Sequence, residues 1–212
     1  LRFRRRRPAP PPPRCTGGGL RKRILPAAPP HLVSPPKNSY FCTMATPKLS
    51  VILSTYNKPQ WLQKVLWGYE HQTETDFELI IADDGSSEET QHLIKGFQKQ
   101  SALKIVHVWH EDNGFQKTII LNKAIEASTT DYLLFSDGDC IPRKDFVEKH
   151  LLNRAFGYFL SGGYFKLPMD ISEMITQDDI RSERCFDVEW LKKHGLKSSF
   201  KNNKLNASGS KK

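Results

Sequence analysis

The chain is organised around the stretch YLLFSDGDC, residues Tyr132–Cys140. Its first four residues are apolar or aromatic and predict a short buried strand. The strand stops at a turn in which Asp137 and Asp139 flank Gly138. Because glycine permits a tight backbone, both carboxylates can face one point just beyond the strand end. Two hard oxygen ligands on one loop suit Mg²⁺ or Mn²⁺ bound together with substrate phosphates. An ordinary solvated Asp-Gly turn is the alternative interpretation.

Strands and helices alternate on both sides of this stretch. The predicted strands are Leu49–Thr55, Phe77–Ala82, Leu103–Trp109 and Tyr132–Ser136. The predicted helices start at Pro59, run from Ser86 to about Gln98, from about Gln116 to Ser128, and from about Lys144 to Phe156. This alternation implies right-handed βαβ crossovers, and therefore a Rossmann-like, mostly parallel sheet with helices on both faces.

Finer details are predicted as well. Ser86 and Glu89 have the spacing of a capping box at a helix N-terminus. His107 and His110 have no neighbouring cluster of ligands and are predicted to be core or surface residues rather than metal ligands. The apolar residues of the third helix are expected to face the sheet, namely Ile119, Ile120, Ala124 and Ile125.

Polar residues gather where the predicted strands end. They are Asn57, Asp83, Asp84, Asn113, Asp137 and Asp139. In sheets of this kind ligands bind outside the carboxyl ends of the strands, so these side chains are candidates for one site. Turn formation is the competing role for Asp84. Lys117 and Asn122 could equally be solvated positions on a helix face.

Charge is distributed unevenly along the 212 residues, whose net charge is +9. Residues 1–43 contain ten of the 32 basic residues, ten of the 14 prolines and no acidic residue, so the basic balance belongs to this segment. It is predicted to be a disordered Arg/Pro-rich tail. A basic interaction arm, a targeting segment and sequence foreign to the native protein are the three explanations.

The rest of the composition narrows the class of protein. The four cysteines show no metal-ligand or disulfide spacing, which favours a reduced, cytoplasmic setting. No apolar run approaches the roughly 18 residues of a membrane span, although peripheral association with the inner face of a membrane stays open. A dehydrogenase and a P-loop enzyme are disfavoured because their glycine-rich motifs are absent from the sequence.

The domain boundaries follow from these patterns. Residues 44–191 are predicted to form one α/β domain, and residues 192–212 a polar basic tail or the start of a further region. A doubly wound domain rarely ends so soon after its fourth strand. The C-terminal part of the fold is therefore expected to be truncated.

Four segments together resemble the nucleotide-sugar half of family 2 glycosyltransferases, including galactosyltransferase-like members, which have the GT-A fold. They are LSVILSTYNKPQWL, DFELIIADDGSSEET, EDNGFQKTIILNKAI and DYLLFSDGDC, and the resemblance covers Leu49 to about Tyr164. It implies the following nucleotide-sugar contacts: Thr55, Tyr56 and Asn57 beside the base, Asp83 and Asp84 on uracil and ribose, Asn113 and Asn122 beside the nucleotide, and Lys117 as a basic residue. It further implies that Asp137 and Asp139 hold Mn²⁺ or Mg²⁺ on the diphosphate.

The resemblance also implies an activity, the inverting transfer of a sugar from a nucleotide-sugar, most simply a UDP-sugar, to a glycan or lipid-linked acceptor. Such a reaction needs a carboxylate base. Galactosyltransferase-like members carry a Gly/Trp-rich segment ending in Glu-Asp for it, and this sequence has none. Asp178 and Asp179 are the only acidic pair in that region. A non-catalytic nucleotide-sugar-binding fragment and a nucleic-acid-binding protein acting through the basic tail are the alternatives.

Overall fold

The computed structural model describes residues 47–197 and, in addition, the backbone of Arg4–Arg6. Its strands are β1 (Arg4–Arg6), β2 (Ser50–Thr55), β3 (Glu78–Asp83), β4 (Lys104–Trp109), β5 (Leu133–Asp137) and β6 (Phe159–Ser161). Its α-helices are α1 (Pro59–Glu70), α2 (Glu88–Gln100), α3 (Lys117–Glu126), α4 (Phe146–Asn153), α5 (Met169–Met174), α6 (Gln177–Arg181) and α7 (Val188–Lys193). A 3₁₀ helix lies at Arg184–Phe186.

Four of the strands form a parallel sheet in the order β4-β3-β2-β5. The register aligns Thr55 with Asp83 and Asp83 with Trp109, and it aligns Ser54 with Asp137. The carboxyl ends of the four strands therefore meet at one edge of the sheet. The predicted parallel sheet is confirmed, and this edge is where the polar strand-end residues come together.

Helices cover both faces of the sheet. On one face, Leu62 of α1, Ile94 of α2 and Val147 of α4 pack in one buried cluster with Val51 and Leu79. On the other face, Ile120 and Ala124 of α3 pack against Ile52, Ile80 and Ala82. Strands buried on both faces explain the near-continuous apolar runs in the sequence. The prediction of helices on both faces is confirmed.

Two of the four α3 residues that were predicted to face the sheet do so, and the prediction is wrong for the other two. Ile120 and Ala124 are buried, whereas Ile119 and Ile125 are 47% and 38% exposed. Residues four apart lie on one face of a helix, so positions 120 and 124 meet the sheet, while positions 119 and 125 lie on either side of that face.

The predicted capping box at the start of α2 is wrong. The N-cap is Ser87, and its side chain makes no capping hydrogen bond. The hydroxyl of Ser86 is used elsewhere, because its Oγ accepts a 2.9 Å hydrogen bond from the backbone N–H of Asn57. Ser86 therefore joins the loops after β2 and β3 instead of capping the helix.

The chain after α4 packs against the domain through small apolar clusters. Ile180 of α6 and Cys185 are buried together with Ile175, and Trp67 of α1 packs against them. None of the helices within the described residues is long and apolar enough to cross a membrane.

A short antiparallel pair formed by β1 and β6 was not predicted. It aligns Arg5 with Leu160. The remainder of the Arg/Pro-rich segment lies outside the described residues, as do residues 198–212. The predicted disorder of residues 1–43 therefore stays a prediction beyond the three residues of β1.

Candidate functional site

A cleft of about 360 Å³ opens at the carboxyl edge of the sheet. Six of the predicted site residues line it: Thr55, Tyr56, Asp84, Lys117, Asp137 and Asp139. Ser54, Lys58, Phe115, Ile120 and Gly138 complete the lining. Four of the predicted nucleotide-sugar contacts do not line it: Asn57, Asp83, Asn113 and Asn122.

The loop after β5 lies directly against the end of β2. The backbone N–H of Gly138 donates a 2.8 Å hydrogen bond to the carbonyl of Ser54. A Cβ atom at Gly138 would lie 3.2 Å from Oγ1 of Thr55 and 2.9 Å from that carbonyl oxygen, and the second distance is shorter than real Cβ contacts. A glycine is thus required here by the close approach of two backbones. The approach keeps the Asp137-Gly138-Asp139 turn tight.

Two donors hold the carboxylate of Asp137. Its Oδ1 accepts a 2.7 Å hydrogen bond from Nζ of Lys117 and a 2.8 Å hydrogen bond from Oγ of Ser54. The hydrogen bond from Lys117 lowers the pKa of Asp137, against the effect of partial burial. Asp137 is therefore a carboxylate at neutral pH, and it lies next to the positive charge of Lys117.

Asp137 and Asp139 fit a hard divalent cation. These two residues and Cys140 each offer one ligand atom, and the three atoms lie within 4.8 Å of one another. Burial raises the pKa of the Cys140 thiol to about 11, and a hard cation prefers the two carboxylate oxygens to a sulfur ligand. Oγ1 of Thr55, beside this turn, is buried without a hydrogen-bond partner among the described residues. The turn thus offers oxygen ligands and one unused polar atom.

Asp83 stabilises the loop after β3 and does not line the cleft. It is fully buried. Its Oδ1 accepts a 2.9 Å hydrogen bond from the N–H of Ser86, and its Oδ2 lies 2.9 Å from Nε2 of His107. Both oxygens already have donors.

Asp84 lines the cleft and is held from two sides. Its Oδ1 lies 2.8 Å from Nε2 of His110, and its Oδ2 accepts a 3.0 Å hydrogen bond from the N–H of Gln116. The side chain is 7% exposed. Its carboxylate thus has a fixed orientation at the cleft wall.

The sequence prediction missed these two histidines as partners of the acids. His107 and His110 were predicted to be core or surface residues rather than metal ligands, and the structure pairs each of them with a carboxylate. One signal was available: buried carboxylates require donors, and the strand containing His107 neighbours the strand that ends at Asp83.

The loops after β2, β3 and β4 are joined by hydrogen bonds. Asn57 has a positive φ of 46°, and its Oδ1 accepts a 2.8 Å hydrogen bond from the N–H of Ser87. The hydroxyl of Tyr56 donates a 2.9 Å hydrogen bond to Oδ2 of Asp112. Asn57 is therefore a structural residue in this fold, and Tyr56 is held at the cleft by the β4–α3 loop.

Asn113 and Asn122 are exposed and lie outside the cleft lining. Nδ2 of Asn113 makes a long 3.4 Å hydrogen bond to the carbonyl of Glu111. Nothing in the described geometry gives either residue a role at the cleft.

Asp178 and Asp179 are not part of the cleft. Asp179 forms the capping box of α6 with Thr176, and its Oδ1 also accepts a 2.9 Å hydrogen bond from Arg184. Asp178 is exposed and pairs with Arg181. The structure therefore gives these acids structural partners.

Comparison with known proteins identifies the family. The family model described as Glycosyl transferase family 2 matches residues 50–157. The chain therefore belongs to glycosyl transferase family 2, and the resemblance drawn from the four sequence segments is confirmed. The match leaves the galactosyltransferase-like subtype as a prediction.

The similarity to individual proteins is partial. Validoxylamine A glucosyltransferase of Streptomyces hygroscopicus subsp. jinggangensis (strain 5008) is 25% identical over 163 residues, covering 70% of this chain and 38% of that protein. Chondroitin synthase of Escherichia coli is 32% identical over 104 residues, covering 49% of this chain and 15% of that protein. The crystal structure of S. aureus TarS 1-349 in complex with UDP-GlcNAc aligns at 25% identity and a TM-score of 0.43. The alignment covers 50% of this chain and 30% of that chain. The chain spans 15–38% of the length of these two curated relatives.

Proposed function

We propose that this chain forms the donor-binding part of a family 2 glycosyltransferase that transfers a sugar from a UDP-sugar to a glycan or lipid-linked acceptor. The observation that carries the proposal is a cleft at the carboxyl edge of the sheet. It collects Asp84 from the end of β3, Asp137 and Asp139 from the end of β5, and Lys117 from the start of α3. Family membership and relatives named as a glucosyltransferase and a chondroitin synthase support a sugar donor and a glycan acceptor.

Asp84 is the residue that we assign to the nucleoside. An ionised carboxylate only accepts hydrogen bonds, so its partner on the ligand is a ribose hydroxyl or a ring N–H. The exposed ring of Tyr56 offers a face on which the base can stack. Asp83, predicted from the sequence to share this role, is buried behind the wall and supports the loop instead.

Asp137 and Asp139 are the residues that we assign to Mn²⁺ or Mg²⁺. When bound, such a cation neutralises the charge that builds on the departing diphosphate. Lys117 contributes a second positive charge beside the same carboxylate. The Gly138 backbone holds the two carboxylates close enough together for one ion.

Our assignments leave no acid in the cleft lining to serve as the acceptor base. Within the described residues the acids of the lining are Asp84, Asp137 and Asp139, and all three are assigned to the donor. Inverting transfer remains part of the proposal, with the base unassigned. The lack of an unassigned acid in the cleft lining also favours a second candidate, a domain that binds nucleotide-sugars without turning them over.

A reducing compartment is also proposed, since Cys140 and Cys185 are free thiols.

A calorimetric titration with UDP tests the donor site. UDP should bind more tightly with Mn²⁺ than with a chelator, because the ion joins the carboxylates to the diphosphate. Equal affinity under both conditions would overturn the cation assignment, and no UDP binding would overturn the donor site. Release of UDP from a panel of UDP-sugars then separates the two candidates: turnover supports the transferase, and binding without release supports the non-catalytic domain.

A further inference from the structure

A connected row of side chains runs from the surface of α3 to the cleft wall. Nζ of Lys123 lies 3.5 Å from Nδ1 of His110, and Nε2 of His110 lies 2.8 Å from Oδ1 of Asp84. The side chains of His110 and Asp84 are 9% and 7% exposed. Asp84 is the only member of the row that lines the cleft.

The chemistry of Lys123 and Asp84 determines which ring nitrogen of His110 donates and which accepts. A lysine ammonium has donors and no acceptor, and an ionised carboxylate has acceptors and no donor. Nδ1 of His110 must therefore accept from Lys123, while Nε2–H donates to Asp84. Both contacts select the same tautomer of His110, in which Nε2 carries the hydrogen.

The same row fixes what Asp84 can recognise. One oxygen accepts from His110, and the other accepts from the N–H of Gln116, so each oxygen already has one donor. Each carboxylate oxygen has a second lone pair. Asp84 can therefore accept one more hydrogen bond from a ligand in the cleft, and it has no proton to donate in return.

We propose that His110 is a specificity-determining positioning residue that holds Asp84 as a fixed acceptor, so that the cleft selects nucleobases whose ring nitrogen carries a hydrogen. The inference rests on the proposed donor site and adds the basis of its selectivity. Uracil presents N3–H to such an acceptor. Cytosine presents a bare N3 lone pair at the same position, which leaves the buried carboxylate facing another acceptor. The site thus discriminates between two pyrimidines of equal size.

UDP and CDP provide the matched pair of probes for this proposal. Titration of the full 212-residue chain with each, at one Mn²⁺ concentration, should show UDP binding about tenfold more tightly or better, the scale of one hydrogen bond to a charged group. His110→Leu should reduce that preference to less than about threefold, because Asp84 loses the donor that orients it. His110→Gln should restore the preference, since its amide presents a donor towards Asp84 and an acceptor towards Lys123.

His107→Leu is the matched control, because His107 holds Asp83 outside the cleft in an equivalent contact. It should lower the thermal midpoint and leave the UDP-to-CDP ratio unchanged. If the natural chain binds both nucleotides equally, or if His110→Leu keeps the full preference, the positioning role is overturned while the donor site stands. An equal loss of preference in the two leucine variants also overturns it. If neither nucleotide binds to the natural chain, the donor site and the inference fall together.

Discussion

Nζ of Lys117 lies 2.7 Å from Oδ1 of Asp137, so an ammonium group already occupies one carboxylate oxygen of the proposed cation site. A divalent cation must either use the other oxygen of Asp137 or displace the lysine. The two side chains are 40% and 57% exposed, which makes displacement inexpensive. Lys117 is therefore expected to compete with the cation before the nucleotide binds and to assist it on the diphosphate afterwards.

Replacing Lys117 by methionine tests this competition. Mn²⁺ should bind up to about fivefold more tightly in the absence of nucleotide, because an exposed ion pair contributes only about 0–1 kcal/mol. UDP in the presence of a chelator should bind more weakly, because the diphosphate loses the ammonium group that we assign to it. Lys117→Arg keeps the charge and is the control. Weaker Mn²⁺ binding in the methionine variant would contradict the competition.

Asp139→Asn tests the cation site itself. The amide keeps the shape of the side chain and removes one charge from a hard ligand, so UDP affinity with Mn²⁺ should fall to the value measured with chelator. The thermal midpoint should stay unchanged, because Asp139 is exposed. Asp178→Asn, at an exposed acid outside the cleft, should leave the Mn²⁺ effect intact. An unchanged Mn²⁺ effect in Asp139→Asn would favour the plain Asp-Gly turn.

The sheet could be predicted from the sequence because its strands are marked by local apolar runs. Each run ends at a polar turn, and a parallel sheet brings those turns to one edge. Asp84, Asp137 and Asp139 were expected together on this basis, and in the structure all three line one cleft.

The histidine partners could not be predicted in the same way, because they depend on strand order and register. His107 lies opposite Ile81 only because β4 neighbours β3. Asp83 and Asp84 are adjacent in sequence, yet one is buried behind the wall and the other lines it. The local sequence pattern predicts the same role for both acids. The direction in which each side chain leaves the backbone at the end of β3 gives them different positions.

Gly85 has no room for a Cβ atom, whereas Gly96 does, so substituting alanine at each glycine should have opposite effects on stability. Gly85 has a φ of +90°, and a Cβ there would lie 2.6 Å from Cα of Asp112. Gly85→Ala should therefore destabilise the protein by about 1–3 kcal/mol. It should also weaken UDP binding, because the displaced loop holds Tyr56 through Asp112.

The control for this substitution is Gly96→Ala in the interior of α2. A Cβ at Gly96 meets nothing within 4 Å, and alanine is the better helix former. It should stabilise the protein by roughly 0.5–1 kcal/mol and leave UDP binding unchanged. Urea denaturation and the UDP titration measure both variants. A stable Gly85→Ala variant with normal affinity would show that the Asp112 loop moves freely.

Glu78 ties the sheet together at the edge opposite the cleft. It is fully buried at the start of β3. Its Oε1 accepts hydrogen bonds from Oγ of Ser50 at 2.6 Å and from the N–H and hydroxyl of Thr129 at 2.7 and 2.9 Å. Its Oε2 pairs with Nζ of Lys104 at 2.6 Å. Burial alone would raise the pKa of Glu78, but these donors outweigh it and lower the pKa from 4.5 to about 2.

This depressed pKa predicts an acid-sensitive contribution to stability. Because the folded state holds the carboxylate more strongly than the unfolded state does, the contribution is complete above pH 4.5 and is lost as the pH falls towards 2. The pKa difference corresponds to about 3 kcal/mol.

Glu78→Gln should lower the free energy of unfolding by roughly that amount at pH 7. Urea denaturation at a series of pH values should show the difference from the natural chain shrinking below pH 4.5. The UDP affinity of the variant at pH 7 should match that of the natural chain, since the strand ends that form the cleft lie at the other edge of the sheet. A stability difference that stays constant from pH 7 down to pH 3 would show that the charge on Glu78 contributes nothing and that its hydrogen bonds to Ser50 and Thr129 account for the whole effect.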